Sequence, residues 1–77
     1  MGKRKKEIHK QKMYEMLQSH ATTKKNKALL TLDLLCNFPA GIGDHSTDDF
    51  YNNAIEAIES LTDANDQLKT IYNYFSK

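Results

Sequence analysis

An all-α fold is predicted for this chain: an antiparallel helical hairpin of two long helices that completes a bundle by self-association. Apolar or small residues recur at alternating steps of four and three in the second half, and a similar stripe precedes them. The strongest break between the two stripes lies near the middle of the 77 residues. Such stepping is typical of helices that pack along their length against another helix.

The first helix is predicted over residues 12–37, after a basic leader, residues 1–11, that frays. Its apolar stripe consists of Tyr14, Leu17, Ala21, Ala28, Leu32 and Leu35, broadened by Met13, Met16, Leu29 and Leu30. The polar stretch 21–27 contains no Gly or Pro, which favours one long helix over two short ones. Clustered lysines oppose the dipole at a helix N-terminus and no good cap precedes them, so the leader is expected to fray.

Residues 38–46 are predicted to form the connecting loop. They include Pro39, the only proline, together with Gly41 and Gly43. Proline lacks an amide donor and disfavours helix at the residue before it, while glycine permits the positive φ of a tight reversal. Ser46 and Asp49 then have the spacing of a capping box, which predicts a second helix over residues 47–76.

The second helix carries the clearer stripe, which we call the seam: Phe50, Ala54, Ala57, Leu61, Ala64, Leu68, Ile71 and Phe75. Folding the chain back at the loop pairs residues whose numbers add up to 88 or 89. Tyr14 then faces Phe75, and Ala28 faces Leu61. Large residues mostly meet small ones, which permits interdigitation. Leu61 is therefore expected to lie buried at the centre, with the leader overhanging the hairpin.

A chain of this length is close to the size at which a single core is only marginally stabilising. The single cysteine, Cys36, rules out an internal disulfide, and its apolar neighbours predict a buried, inert thiol. The three histidines lack paired-ligand spacing, so neither a metal nor a cofactor is expected. The simplest remaining solution is a homodimer of hairpins in a four-helix bundle. A third helix from a split first segment, or docking onto a larger protein, are the alternatives.

The apolar surface is wider than a single helix–helix contact requires. Six residues flank the seam and are predicted to form a protein interface: Leu29, Leu30, Leu34, Ile55, Ile58 and Tyr72. Tyr74 lies off the seam and is a further candidate contact. The predicted function is therefore a small non-enzymatic interaction protein that binds itself or a larger protein through helix faces.

Charge is unevenly distributed, although the formal net charge is only +1. The candidate phosphate contacts lie in residues 1–12 beside a single acid: Lys3, Arg4, Lys5, Lys6, Lys10 and Lys12. Each phosphate that they neutralised would add salt-dependent affinity, so a nucleic-acid-associated protein is the alternative function. A solvated basic tail competes with it, since no zinc finger or aromatic platform accompanies the run. Residues 44–66, by contrast, contain seven acids and neither Lys nor Arg.

The localisation expected from the sequence is cytoplasmic. No apolar run approaches the roughly 20 residues of a membrane span, and no signal-peptide pattern follows the basic start. We therefore expect neither a membrane partner nor a small-molecule substrate.

The loop is the least generic stretch, with Pro39, Gly41, Gly43, Asp44 and His45 within Asn-Phe-Pro-Ala-Gly-Ile-Gly-Asp-His. It resembles the Pro-x-Gly-Ile-Gly-Asp/Glu-His loop between two helices in short uncharacterised proteins of tailed bacteriophages. The resemblance covers residues 37–50, and the second helix in pattern only. It implies a small virus-encoded binder in the host cytoplasm and carries no activity. From the residues alone, a turn with capping is favoured, partner binding comes second, and catalysis lacks a nucleophile.

Overall fold

The computed structural model describes residues 2–37 and 47–76 of the chain. They form two helices, α1 (Gly2–Asn37) and α2 (Thr47–Phe75), which pack against each other as a hairpin. The hairpin is elongated and measures 61 × 17 × 15 Å along its principal axes. The predicted all-α helical hairpin is thus confirmed.

Helix α1 is longer than the sequence analysis predicted. It begins at Gly2 rather than at residue 12, so the basic leader belongs to the helix. The physical reason is that residues 3–37 include no Gly or Pro, while the Lys, Arg, Glu and Gln residues near the start are good helix formers. The helix also continues without a break through residues 21–27, which excludes the alternative of a split first segment.

Helix α2 begins with an acidic first turn that contains Asp48 and Asp49. Acidic side chains are favourable there because the helix dipole is positive at its N-terminus. The helix ends at Phe75, one residue before the predicted end, and the amide of Ser76 donates to the carbonyl of Tyr72 at 3.0 Å. The loop predicted over residues 38–46 and its cap at Ser46 lie outside the described residues.

The interior of the hairpin is filled mainly by alanine. Among the described residues the buried apolar side chains are Ala21, Ala28, Leu35, Ala57 and Ala64, and no large side chain is fully buried. In each helix these residues recur every seven positions, which keeps them on one side of the helix. Small side chains at these positions let two helices pack closely. The seam therefore holds the helices together with little apolar volume.

The prediction that Leu61 is buried at the centre of the seam is wrong, because this residue is only half-buried. Ala57 and Ala64 occupy the centre instead. Leu61 follows Ala57 by four residues, and a step of four residues turns an α-helix by about 40° beyond a full turn. The Leu61 side chain therefore lies at the margin of the seam.

The prediction of a buried thiol at Cys36 is also wrong, since this residue is exposed. Its neighbour Leu35 points into the seam. A step of one residue turns the helix by about 100°, which carries Cys36 out of the interface.

The predicted register is confirmed at the open end of the hairpin. The rings of Tyr14 and Phe75 lie 5.5 Å apart between centroids, at an interplanar angle of 59°. Nearer the middle, Lys24 Nζ donates to Asp63 Oδ2 across the two helices. Tyr74 contributes a second aromatic contact at the open end, edge-on to Phe75 at 5.0 Å.

Candidate protein interface

The seam separates two long sides of the hairpin, and the first side is polar. Residues of both helices line a shallow groove on it, among them Lys24, Thr31, Leu34, Asn53 and Glu56. Farther along α2, the carboxylate oxygen of Asp63 that pairs with Lys24 also accepts a hydrogen bond from Gln67 Nε2 at 3.1 Å. The opposite charges of Lys24 and Asp63 on this side thus form an ion pair within one chain. We call it the polar side.

The ion pair on the polar side is expected to contribute little stability. Its side chains are 34% (Lys24) and 51% (Asp63) exposed, and exposed pairs typically contribute about 0–1 kcal/mol. Replacing Lys24 with alanine should therefore lower the free energy of unfolding in urea by no more than about 1 kcal/mol. The difference should shrink further in high salt. Lys27→Ala, which alters the same groove, is the matched control, and a loss above about 2 kcal/mol for Lys24→Ala alone would contradict this description.

The second side carries an uncharged stripe along the whole of α2. We define the α2 stripe as Tyr51, Ala54, Ile58, Leu61, Asn65, Leu68, Tyr72 and Phe75. These residues follow one another at steps of three and four, which places them on one face of the helix. Seven of the eight are apolar or aromatic. The eight stripe residues therefore combine the spacing of a helix-packing surface with uncharged side chains, and Lys69 borders them between Asn65 and Tyr72.

The side chains of the α2 stripe are unusually open to solvent for an apolar surface. Tyr51, Ile58 and Tyr72 are 62%, 51% and 63% exposed, respectively. Four others are half-buried because they also belong to the seam: Ala54, Leu61, Leu68 and Phe75. The hairpin alone thus leaves Tyr51, Ile58 and Tyr72 exposed.

The two sides are distinguished by their position relative to the buried alanines. Ile58 follows Ala57 by one residue, whereas Glu56 precedes it by one. A step of one residue turns an α-helix by about 100° in one direction or the other. Glu56 lines the groove of the polar side, so Ile58 and the rest of the α2 stripe lie on the opposite side.

Helix α1 extends this apolar surface near the loop end. Leu29 and Cys36 each follow a buried residue of α1 by one position, and Leu32 follows the buried Ala28 by four. In an antiparallel pair, positions that follow the seam in this way lie on the same side in both helices. Leu29 and Cys36 are exposed and Leu32 is half-buried, so the three widen the surface beside the α2 stripe.

All six residues of the predicted interface are exposed: Leu29, Leu30, Leu34, Ile55, Ile58 and Tyr72. The structure does not bring them together on one surface. Leu29, Ile58 and Tyr72 share the side of the α2 stripe, whereas Leu34 lines the polar groove. By helical position, Leu30 and Ile55 point away from the seam. Tyr51 was not among the predicted interface residues, although the apolar spacing from Tyr51 through Ala54 to Ile58 beside the seam indicated it.

The candidate phosphate contacts are only partly described. Lys10 and Lys12 are exposed on α1, whereas the side chains of Lys3 to Lys6 lie outside the described part. Lys12 Nζ pairs with Glu15 Oε1 at 3.5 Å, and Gln11 Nε2 donates to Glu15 Oε2 at 3.1 Å. The Gln11 hydrogen bond and the positive charge of Lys12 lower the pKa of Glu15 below its usual value. Lys12 therefore already has an acidic partner within the chain.

Metal-binding groups and membrane-spanning helices are both absent from the described residues. Within residues 2–37 and 47–76, no group of three or more His, Cys, Asp or Glu side chains could hold a metal ion. Neither α1 nor α2, as far as they are described, has the length and apolar character that crossing a membrane requires. Comparison with protein-family models, with curated proteins and with solved structures finds no match for this chain.

Proposed function

We propose that this protein is a small non-enzymatic interaction module that binds protein through the α2 stripe. One observation carries the proposal: an uncharged helix face is exposed on a hairpin whose interior holds mainly alanine. An ordinary surface helix of a monomer turns its apolar stripe inward and its charged face outward. Here α2 also exposes Tyr51, Ile58 and Tyr72 beside the seam, which favours a second protein surface as their neighbour.

The residue types of the α2 stripe support this proposal. Tyr51 and Tyr72 offer large rings with a hydroxyl at the tip, and Ile58 offers a purely apolar side chain. Tyrosine is enriched at the centres of protein interfaces, where a few anchoring residues supply most of the binding energy. Among the charged residues of α2, Lys69 borders the stripe beside Asn65 and Tyr72, and its long side chain can keep the ammonium group in water when the stripe is covered.

The resemblance of residues 37–50 to short phage proteins suggests the setting in which such a module would act. We propose a virus-encoded binder in the host cytoplasm. Its partner is a second copy of this chain or a larger protein that offers a complementary apolar surface.

Capture from a cell lysate with the full chain immobilised tests the proposed function. We expect the wild type and Asn73→Asp to retain the same proteins, including free copies of this chain, and Tyr72→Asp to lose them. Asn73 is the matched control because it is exposed and adjacent to Tyr72 but outside the α2 stripe. Equal retention by both variants would overturn the proposal, as would the absence of any retained protein.

A nucleic-acid-associated role is a second candidate, favoured by the length of α1. Tyr14 already meets the last residue of α2, so the first turns of α1 extend beyond the hairpin and carry the basic leader. Binding to DNA or RNA that weakens steeply with salt and disappears on deletion of residues 1–12 would support this role. DNA or RNA binding that is unchanged by this deletion would show that the leader does not bind the nucleic acid.

A further inference from the structure

We infer that the α2 stripe docks onto the α2 stripe of a second copy, antiparallel and related by a two-fold axis. This inference rests on the proposed function and names its partner. The two hairpins would form a four-helix bundle in which the paired α2 helices supply most of the apolar contact.

The surface area of the hairpin supports a second copy as the occupant. The hairpin exposes 6329 Å², whereas a compact monomer of 8.9 kDa is expected to expose about 4,800 Å². Its radius of gyration is 17.7 Å, against about 11–12 Å for a compact chain of this length. The excess area is about 1,500 Å², and a standard interface buries about 800 Å² per partner. One copy therefore has enough surface for a stable dimer and too little core to remain alone.

The order of residues in the α2 stripe makes it complementary to itself. When two stripes run antiparallel and are centred on residue 63, Ile58 meets Leu68 of the other copy and Leu61 meets Asn65. At the ends, Ala54 meets Tyr72, so that a small side chain faces a large ring. A two-fold axis repeats each contact, and both copies use the same patch, as an isologous interface requires.

Charge favours the antiparallel orientation over a parallel one. Two parallel hairpins would bring both basic leaders to the same end, where their lysines repel one another. The antiparallel arrangement sends the leaders to opposite ends. In the register centred on residue 63, Lys10 of one copy lies level with Asp48, which is in the acidic first turn of the other copy's α2.

Asn65 lies near the centre of this arrangement and is the polar member of the α2 stripe. A single asparagine within an apolar helix interface can fix register and orientation at some expense of stability. Asn65 is therefore expected to favour the register in which it lies close to the two-fold axis.

Sedimentation equilibrium of the full chain tests self-docking. The wild type should have twice the mass of one chain at tens of micromolar. Ile58→Asp should weaken the dimer by about 30-fold or more, the effect of losing an interface anchor of about 2 kcal/mol. Asn52→Asp introduces the same charge at an exposed position outside the α2 stripe and should remain dimeric. A monomeric wild type, or equal dimerisation of both variants, would overturn the inference.

Disulfide cross-linking tests the orientation without introducing charge, and so does not depend on a variant that fails to fold. In a Cys36→Ser background, Asn65→Cys should form a covalent dimer under mild oxidation at least about tenfold faster than Asn73→Cys. Both positions are exposed in α2, but only Asn65 lies near the two-fold axis. Equal rates for the two cysteines would contradict the antiparallel pairing of the stripes.

The outcomes separate this inference from the proposed function. A monomeric wild type whose capture of another protein depends on Tyr72 would overturn self-docking and leave the proposed function standing. A wild type that neither dimerises nor captures another protein would overturn the two together.

Discussion

Replacing Leu35 with alanine is expected to lower the free energy of unfolding by about 2–5 kcal/mol, measured by urea denaturation. Leu35 is 6% exposed and is the one residue larger than alanine in the buried set of the described chain. The truncation removes three apolar carbons and leaves a cavity between the two helices. For a chain of this length the whole stability is about 4–12 kcal/mol, so the variant should lose a large part of it.

Leu30→Ala is the matched control for this experiment. Leu30 lies in the same helix and is 59% exposed, so the same truncation removes little buried surface. The control should change the free energy of unfolding by no more than about 0.5 kcal/mol. Similar losses in the two variants would show that Leu35 does not anchor the seam.

Replacing Ala64 with leucine is expected to destabilise the hairpin by about 1–3 kcal/mol, because the added atoms force the helices apart. Ala64 is fully buried at 0% exposure, so the three added carbons of leucine would press against α1. For a domain of this size the melting temperature should fall by about 4–8 °C for each kcal/mol. Thermal unfolding followed by circular dichroism measures the change.

Thr62→Leu, two residues earlier and exposed, is the control for intrinsic helix propensity. Leucine is a better helix former than threonine, so this variant should be unchanged or slightly more stable. If Ala64→Leu were equally harmless, the alanine seam would not be the close-packed contact described above.

The hairpin itself could be predicted from the sequence because its signals are redundant. The seven-residue recurrence of small side chains in both halves, the central Pro and Gly residues and the acidic start of α2 all point to the same arrangement. The register could also be predicted, since Tyr14 and Phe75 fall opposite each other in a simple antiparallel count and their rings lie in contact.

Finer features could not be predicted because they depend on helical phase. An apolar run such as Leu34-Leu35-Cys36 spreads over more than half of the helix circumference, and only Leu35 reaches the interior. The sequence does not say which member of such a run does so until the partner helix is in place. The same ambiguity led to Leu61, rather than Ala57 and Ala64, as the expected centre of the seam.

The start of α1 was missed for a different reason. The prediction of a frayed leader rested on the repulsion between clustered lysines and the positive N-terminal end of the helix dipole. This effect is worth about 0.3–1 kcal/mol and is screened by salt. The good helix propensity of the same lysines, and the contacts of Glu15 with Gln11 and Lys12, act in the other direction. Of the six predicted interface residues, Leu29, Ile58 and Tyr72 share the side of the α2 stripe.

We infer that one hairpin buries too little apolar surface to be stable alone and is completed through the α2 stripe by a second copy. The most direct test is the unfolding midpoint of the full-length wild type, measured over a hundredfold range of protein concentration. Because association stabilises only the folded state, the midpoint should rise steadily with concentration. A midpoint that stays constant over the whole range would contradict the inference that a second copy stabilises the hairpin.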